Sequence, residues 1–274
     1  MNAVVSVACK EFRDGLRNRW VLAIALVLAL MAVGIAYFGA AASGGLGFTS
    51  LATTVVSLST LAVFLIPLIG LLLAYDAIVG EQEAGTLLLL LTYPLSRSAL
   101  LLGKFLGHGL ILAVATALGF GIAAIAIALG APGIDLLALA GSIGLLIASS
   151  VLLGWVFIAF AYLISVWVTE KAQAAGLALI VWFLFVLVFD LALLALLVGA
   201  RHGGDWLPYL LLLNPTDCFR LINLAGIEAA QAYSGLTALA RDNAFQPGWL
   251  MLILAGWIIV PLGLALLRFR HRSV

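Results

Sequence analysis

Six apolar stretches, each long enough to cross a lipid bilayer as a helix, dominate the sequence. The hydrocarbon core of a bilayer, about 30 Å thick, needs about 20 apolar residues in helical conformation. Of the 274 residues, 65% are hydrophobic and only 9% are charged, which excludes an ordinary soluble domain. We therefore predict an all-α integral membrane protein with six transmembrane helices. The predicted spans are Trp20–Ala42, Leu51–Tyr75, Gly109–Leu129, Leu136–Val168, Ala172–Ala200 and Trp249–Leu267.

The distribution of lysine and arginine predicts which ends of these helices face the cytoplasm, because cytoplasmic loops carry an excess of both residues. If the N-terminus is cytoplasmic, ten of the 13 Lys and Arg residues lie on that side, and Arg201, Arg220 and Arg241 lie on the other. We therefore expect both termini in the cytoplasm and, in a bacterium, the opposite loops in the periplasm. The ten residues are Lys10, Arg13, Arg17, Arg19, Arg97, Lys104, Lys171, Arg268, Arg270 and Arg272.

Residues 1–19 predict an amphipathic helix that lies on the inner membrane surface before the first span. Apolar residues recur near one face at helical spacing, and basic residues occupy polar positions. The apolar residues are Val4, Val7, Ala8, Phe12 and Leu16. The alternative interpretation is a solvated basic leader. Residues 268–274 form a short basic tail on the same side.

The longest inner segment, residues 76–107, contains two carboxylates between two glycines. Gly80 and Gly85 bracket Glu81 and Glu83. A short helix with these residues is suited to dock into a groove on a soluble partner, where the glutamates could pair with Arg or Lys. The alternative is that the glutamates only keep an inner loop hydrated.

A leucine run, Leu87–Leu91, follows these glutamates and is too short to span a bilayer. It predicts the buried side of a short helix. The run ends before Pro94, and Ser96 is suited to cap a new helix.

The last outer loop, residues 201–247, contains a strong helix start. Asn214 is a favourable N-cap, Pro215 would occupy the first helical position, and Asp217 lies in the first turn. We expect one or two helices packed on the outer surface, with a possible re-entrant segment through Leu207–Leu213. These helices either cap the bundle or contact an outer partner. The residues expected at such a contact are Asn214, Pro215, Asp217 and Arg220.

No catalytic motif is found in the sequence. The Gly103-Lys104 pair is not a P-loop, since position 98 is serine and the upstream glycine is missing. The motifs of intramembrane proteases are also missing. We predict a protein that is not itself an enzyme.

Metal and nucleic-acid binding receive little support. Cys9 and Cys218 are too far apart in the sequence to form a thiolate motif, and we predict no metal bound directly by the chain. His202 is a weak isolated candidate, for which we favour a solvated loop histidine. A net charge of +1 provides no basic field for nucleic acid.

Asp190 is the one acid well inside a predicted span. A carboxylate at that depth is costly and indicates a transport pathway, a proton site or a partner within the bundle. A purely structural role, hydrogen bonded to a neighbouring helix, is the interpretation we favour.

Three short motifs resemble the signature of type-2 ABC-exporter permeases, the ABC-2 family. They are the segment from Gly80 to Leu87 (GEQEAGTL), the segment from Pro94 to Arg97 (PLSR), and Leu102-Gly103-Lys104. Their order and the six-span frame extend the resemblance over essentially the whole chain. The resemblance implies the ABC-2 permease fold, in which the N-terminal amphipathic helix is the connecting helix.

The resemblance also implies partners. Such a permease forms a homodimer, and each copy docks a cytoplasmic ATPase through Gly80–Leu91, with the turn at Glu170 as a second contact. ATP and Mg²⁺ would bind to the ATPase and not to this chain. The docking residues implied by the family pattern are Gly80, Glu81, Glu83, Gly85, Thr86, Leu87 and Glu170.

Three further segments resemble the subgroup of these permeases linked to copper-site assembly in nitrous oxide reductase. They are KEFRDGLRNRW, DAIVGEQEAGTLLLLLTYPLSR and NPTDCFRLINL. Members of that subgroup work with an ATPase and with a periplasmic β-helical protein, which the 201–247 loop would help to seat. Copper would then be handled by the complex.

Three functions remain open from the sequence. The first is a permease subunit that couples ATP hydrolysis to movement of a substrate, such as a sulfur- or copper-related species. The second is mechanical transmission to an outer protein without solute transport, which the scarcity of polar residues in the spans favours. The third is an ABC-2 exporter of another substrate, such as a lipid, a haem-related compound or a drug.

Overall fold

The computed structural model of the protein describes residues 3–17, 20–38, 50–93, 95–131, 133–199, 207–224 and 246–271, and the regular structure within them is helical. The helices are α1 (Ala3–Arg17), α2 (Trp20–Phe38), α3 (Leu51–Ala74), α4 (Val79–Glu83), α5 (Thr86–Thr92), α6 (Arg97–Gly130), α7 (Leu136–Trp167), α8 (Lys171–Phe183), α9 (Phe189–Gly199), α10 (Leu207–Leu210), α11 (Pro215–Leu224) and α12 (Pro247–Arg270). A π-helical turn, Leu184–Val188, joins α8 to α9, and a 3₁₀ turn, Leu211–Leu213, follows α10.

The described residues contain five helical segments long and apolar enough to cross a membrane. A sixth candidate is the bent pair formed by α1 and Leu22–Phe38, whose two helices meet at 65°. The all-α membrane-spanning architecture predicted from the sequence is therefore confirmed, and the described residues give five spans, or six if the bent pair counts as one. The five segments are Leu51–Glu83, Arg97–Gly130, Leu136–Trp167, Lys171–Leu196 and Pro247–Arg270.

The third span is longer than the sequence indicated, because α6 begins at Arg97 and continues without a break to Gly130. The hydroxyl of Ser96 caps it by accepting a hydrogen bond from the amide of Ala99 at 3.1 Å, as predicted for this serine. At 1.5 Å per residue its 34 residues are about 51 Å long, which exceeds the hydrocarbon core of a bilayer. Part of the 76–107 segment is therefore a rigid extension of a span.

The start of α6 and the ends of α7 and α12 lie at the same end of the bundle. The guanidinium of Arg97, at the start of α6, donates to the carbonyl of Phe269 at 3.1 Å, near the end of α12. Arg268 lies 5.9 Å from the ring centroid of Trp167, the last residue of α7. We call this end the terminal end, and the other the opposite end.

Helix α1 packs closely along α6 at two glycines. A Cβ added at Gly103 would lie 2.6 Å from the Cβ of Val7, and one added at Gly107 would lie 2.6 Å from the Cβ of Glu11. Small residues allow helix backbones to approach in this way. The predicted amphipathic helix is therefore present, and its apolar face is directed toward α6, with Ala8 buried.

Glycines allow other helix pairs to pack closely in the same way. Gly119 of α6 meets Leu28 of α2, where an added Cβ would lie 2.6 Å from the leucine Cβ. Gly70 of α3 lies against the carbonyl oxygen of Gly154 of α7, which an added Cβ would approach to 2.9 Å. Helices α2, α3 and α7 consequently surround α6 and share one apolar core.

Helix α11 inserts among the spans instead of lying on the outer surface, where we expected the helices of this loop. It packs against α3, α7 and α12, and eight of its ten residues are buried. The helix start predicted at Asn214 and Pro215 is correct, because the side-chain oxygen of Asn214 accepts from the amide of Thr216 at 3.0 Å. A short helix of this loop, α11, therefore lies inside the bundle.

Candidate functional sites at the two ends of the bundle

The segment of residues 76–93 forms two short helices separated by a tight turn. Helix α4 ends before Gly85, whose φ of +70° lies in the left-handed region that favours glycine, and α5 follows at once. The amides of Ile78 and Val79 each donate to the hydroxyl of Ser165 on α7 at 3.0 Å. This buried serine satisfies two amides at the start of α4 and fixes the segment to α7.

Glu81 binds inside the chain to a buried lysine. Lys104 of α6, whose side chain is 5% exposed, lies 3.0 Å from a carboxylate oxygen of Glu81 and 3.2 Å from one of Glu11. The hydroxyl of Thr86 also donates to Glu81. One ammonium therefore joins α1, α4 and α6. The ion pairs are shielded from solvent, so removal of one partner would leave an uncompensated buried charge.

Glu83 also has a partner within the chain. Its carboxylate accepts the amide of Lys171, the first residue of α8, at 2.6 Å. The Lys171 ammonium in turn lies 3.2 Å from Asp76. Gly80 makes room for this lysine, since a Cβ there would lie 2.7 Å from its Cε. The structure thus brings the turn at Glu170, which is exposed, next to the 76–93 segment.

The predicted docking residues differ in exposure. Glu83, Gly85 and Glu170 are exposed, whereas Gly80 and Leu87 are buried within the chain. Leu87 is the one leucine of α5 that is fully inside, with 1% exposure. A partner could therefore not contact Gly80 or Leu87 directly, and these two residues can act only through the position of the segment.

The outer face of α5 is apolar and exposed. Leu88, Leu89 and Tyr93 are 58%, 64% and 64% exposed, respectively, although each is large and hydrophobic. Exposed apolar patches rimmed by polar residues mark interaction sites with proteins or membranes. The prediction that Leu87–Leu91 is the buried side of a short helix is therefore wrong for Leu88 and Leu89. Both lie within the predicted docking segment Gly80–Leu91, although the family pattern did not name them as docking residues.

Toward the opposite end, within span five, Asp190 is paired with Arg220. A guanidinium nitrogen of Arg220 lies 2.6 Å from Asp190 and 2.9 Å from Asp217. The side chains are 18% exposed for Asp190, 20% for Arg220 and 3% for Asp217. Asp190 and the outer-loop residues Asp217 and Arg220, which the sequence analysis treated separately, therefore belong to one ion cluster.

The ion cluster adjoins the π-helical turn that interrupts the α-helix of span five. A π-helical turn changes the hydrogen-bond register and leaves backbone carbonyls to be satisfied otherwise. The carbonyl of Phe185 in this turn accepts from the side-chain amide of Asn214 at 3.0 Å and from the hydroxyl of Thr216 at 3.3 Å. The start of α11 therefore stabilises the irregular turn that precedes Asp190.

One guanidinium serves two carboxylates in this cluster, and the other oxygen of Asp190 is buried without a hydrogen-bond partner. The side-chain amide of Asn214 donates to a carboxylate oxygen of Asp217 at 3.0 Å, so the cluster is joined to the start of α11.

The outer-loop residues expected at a partner contact are mostly inside the bundle. Asn214, Pro215 and Asp217 are buried, and Arg220 is directed to the two acids. An outer partner would therefore meet other parts of this loop. Residues 225–245 lie outside the described residues, as does the weak metal candidate His202.

No metal cluster is formed by the described residues. No group of three His, Cys, Asp or Glu side chains there could hold an ion. Cys9 is exposed, Cys218 is buried, and both are free thiols. The sequence prediction that the chain itself binds no cofactor stays a prediction.

The long apolar helices, together with the 76–93 segment fixed at one end of them, define a membrane-spanning permease. A family model described as ABC-2 family transporter protein matches residues 5–274. The chain therefore belongs to the ABC-2 family and is a transmembrane subunit, not itself the ATPase. Membership implies an ATPase partner.

Two similar proteins cover the full length of the chain. The chain is 60% identical over 274 residues to "Probable ABC transporter permease protein NosY" of Stutzerimonas stutzeri, covering 99% of each. It is 58% identical over 276 residues to the protein of the same name in Pseudomonas aeruginosa, covering 100% of each. The resemblance inferred from the sequence motifs is confirmed.

Proposed function

We propose that the chain is the permease of a NosY-type complex in the bacterial inner membrane. It couples ATP hydrolysis by a cytoplasmic NosF-like ATPase to substrate movement or conformational change across the membrane. The complex serves copper-site maturation of nitrous oxide reductase. The observation that carries this proposal is the full-length identity of 60% and 58% to the two NosY permeases.

The ATPase docks at the terminal end, on the 76–93 segment and the neighbouring turn at Glu170. Support comes from the exposed apolar face of α5, formed by Leu88, Leu89 and Tyr93, and from the exposed Glu170 beside it. The positive-inside rule favours the same end as cytoplasmic. Both chain termini are then cytoplasmic. ATP and Mg²⁺ bind to the ATPase.

At the periplasmic side, a NosD-like protein contacts the loop of residues 201–247. Support comes from α11 of this loop, which packs inside the bundle near Asp190. The permease acts as a homodimer, in which each copy docks one ATPase. Copper is then cargo of the assembly and is not a resident cofactor of this chain.

Mechanical transmission without solute transport is the second candidate. Asp190, the acid well inside a span, is bound to Arg220 at 2.6 Å and is therefore engaged in packing α9 against α11. This pairing favours a structural element over a polar transport path. ATP-dependent uptake of copper or a thiol into sealed vesicles would exclude the purely mechanical version, and its absence in a hydrolysing complex would support it.

The docking surface is tested by placing charge on it. In the Leu88→Asp/Leu89→Asp variant, we expect loss of the ATPase from affinity-purified permease, because two charges would have to be desolvated at the contact. Leu137→Asp is the matched control, since Leu137 is 84% exposed at the opposite end. Retention of the ATPase by the double variant would contradict this docking surface.

A further inference from the structure

We propose that Glu83, the second signature glutamate, is a positioning residue that fastens the start of span five to the ATPase-docking segment. The inference rests on the proposed function, since it concerns how movement leaves the docking site. It differs from the role expected from the sequence, in which Glu83 would pair with a basic residue of the ATPase.

The first observation is a helix cap supplied from another element. Glu170, at the N-cap position of α8, makes no side-chain cap bond. The carboxylate of Glu83 takes this role by accepting the Lys171 amide at 2.6 Å from α4, 88 residues earlier in the chain. A carboxylate at a helix N-terminus is favoured by the free amides and by the helix dipole.

The second observation is an ion pair that the side chain of the same lysine, Lys171, forms with Asp76. The ammonium of Lys171 lies 3.2 Å from Asp76, which precedes α4, while Glu83 ends α4. The lysine side chain passes over Gly80, where an added Cβ would lie 2.7 Å from its Cε. The first turn of α8 is thus held at both ends of α4, which resists rotation as well as separation.

The third observation concerns what α8 leads to. Lys171–Leu196 is the least buried of the five candidate spans, with 17% of its apolar window buried against 56% for Leu51–Glu83. Its contacts with the rest of the chain are therefore concentrated at a few polar bonds. It also contains the π-helical turn and Asp190. Displacement of α4 by the ATPase would therefore reach the opposite end through span five.

The test uses the complex of full-length permease with its ATPase and compares Glu83→Ala with Glu83→Gln. Glutamine retains an oxygen that can accept the Lys171 amide, whereas alanine does not. Gln173→Ala is the control, because Gln173 is exposed in the same first turn of α8 and contacts only Glu170 among the described bonds. Three quantities are measured: recovered ATPase, amide exchange in residues 171–174, and an ATP-dependent signal.

The signal comes from a fluorophore on Val198→Cys, near the end of span five, in a Cys9→Ser background. Val198 is 87% exposed, so a label there should not disturb packing. In Glu83→Ala we expect wild-type recovery of the ATPase, at least tenfold faster exchange in residues 171–174, and at least a fivefold smaller ATP-dependent signal. Glu83→Gln should restore exchange and signal toward wild type, and Gln173→Ala should change neither.

Two results would overturn the inference while leaving the proposed function intact. One is unchanged amide exchange or an unchanged ATP-dependent signal in Glu83→Ala. The other is loss of the ATPase in both Glu83 variants with normal exchange, which would make Glu83 a docking carboxylate. A wild-type chain that recovers no ATPase would instead contradict the proposed function, and the exchange measurement would still decide whether Glu83 holds α8.

Discussion

At the scale of single residues, the charges of this membrane protein are few and most of those in the described core have defined partners. Lys104 binds Glu11 and Glu81 at the terminal end, and Arg220 binds Asp190 and Asp217 at the opposite end. Each basic group is shared by acids from different helices. The charges therefore add specific contacts between helices whose apolar faces already pack closely at the glycines.

Replacing Lys104 by methionine should destabilise the protein strongly. Glu81 would lose its lysine and Glu11 would keep only Lys10, and breaking a buried pair costs about 3 to 5 kcal/mol. Thermal unfolding in detergent measures the loss. Lys10→Met is the matched control, since Lys10 is 60% exposed and surface pairs contribute about 0 to 1 kcal/mol. Equal midpoints for the two variants would contradict the buried role of Lys104.

At the scale of helices, much of the structure follows from local sequence. Apolar length predicts the spans, the hydroxyl of Ser96 predicts the start of α6, and Asn214-Pro215 predicts the start of α11. These features depend on neighbouring residues only, because caps satisfy amides within the first turn. The insertion of α11 could not be predicted, since it depends on the pairing of Arg220 with Asp190, 30 residues apart.

The candidate sites were less predictable than the helices. The family pattern contains Glu81, Glu83 and Lys104 but does not show which groups pair, because Glu11, Lys104 and Lys171 lie on other helices than the glutamates of α4. Similarly, the Gly103 and Gly107 pair cannot be distinguished from chance among 28 glycines in the sequence. Only the approach of α1 gives these glycines a role.

Substitution of glycines that look alike in the sequence should therefore have different effects on the contact between α1 and α6. Gly103→Leu should loosen α1 from α6, at a cost of about 1 to 3 kcal/mol for overpacking, because its Cβ would meet Val7 and the Val4 carbonyl. Gly121→Leu, on the same helix, has no atom within 4 Å of its Cβ and serves as the control. Limited proteolysis of α1 reports the release. Equal protection in both variants would be inconsistent with this packing.

At the scale of the whole molecule, the two ends of the bundle have different chemistry. The terminal end exposes the apolar face of α5 beside a turn held by Glu83, and the opposite end contains the cluster around Arg220. Span five connects them, with its π-helical turn at the level of the cluster. In the proposed complex, the ATPase supplies energy at one end and the loop of residues 201–247 delivers the movement at the other.

The most direct test of this account is purification of the tagged chain from its native membrane in mild detergent, followed by identification of the co-purifying proteins. We expect a cytoplasmic ATPase in equal amount to the permease, and loss of copper-site maturation of nitrous oxide reductase when that ATPase carries an inactivated nucleotide site. Recovery of the chain without any ATPase, from cells in which maturation proceeds normally after that inactivation, would contradict the account.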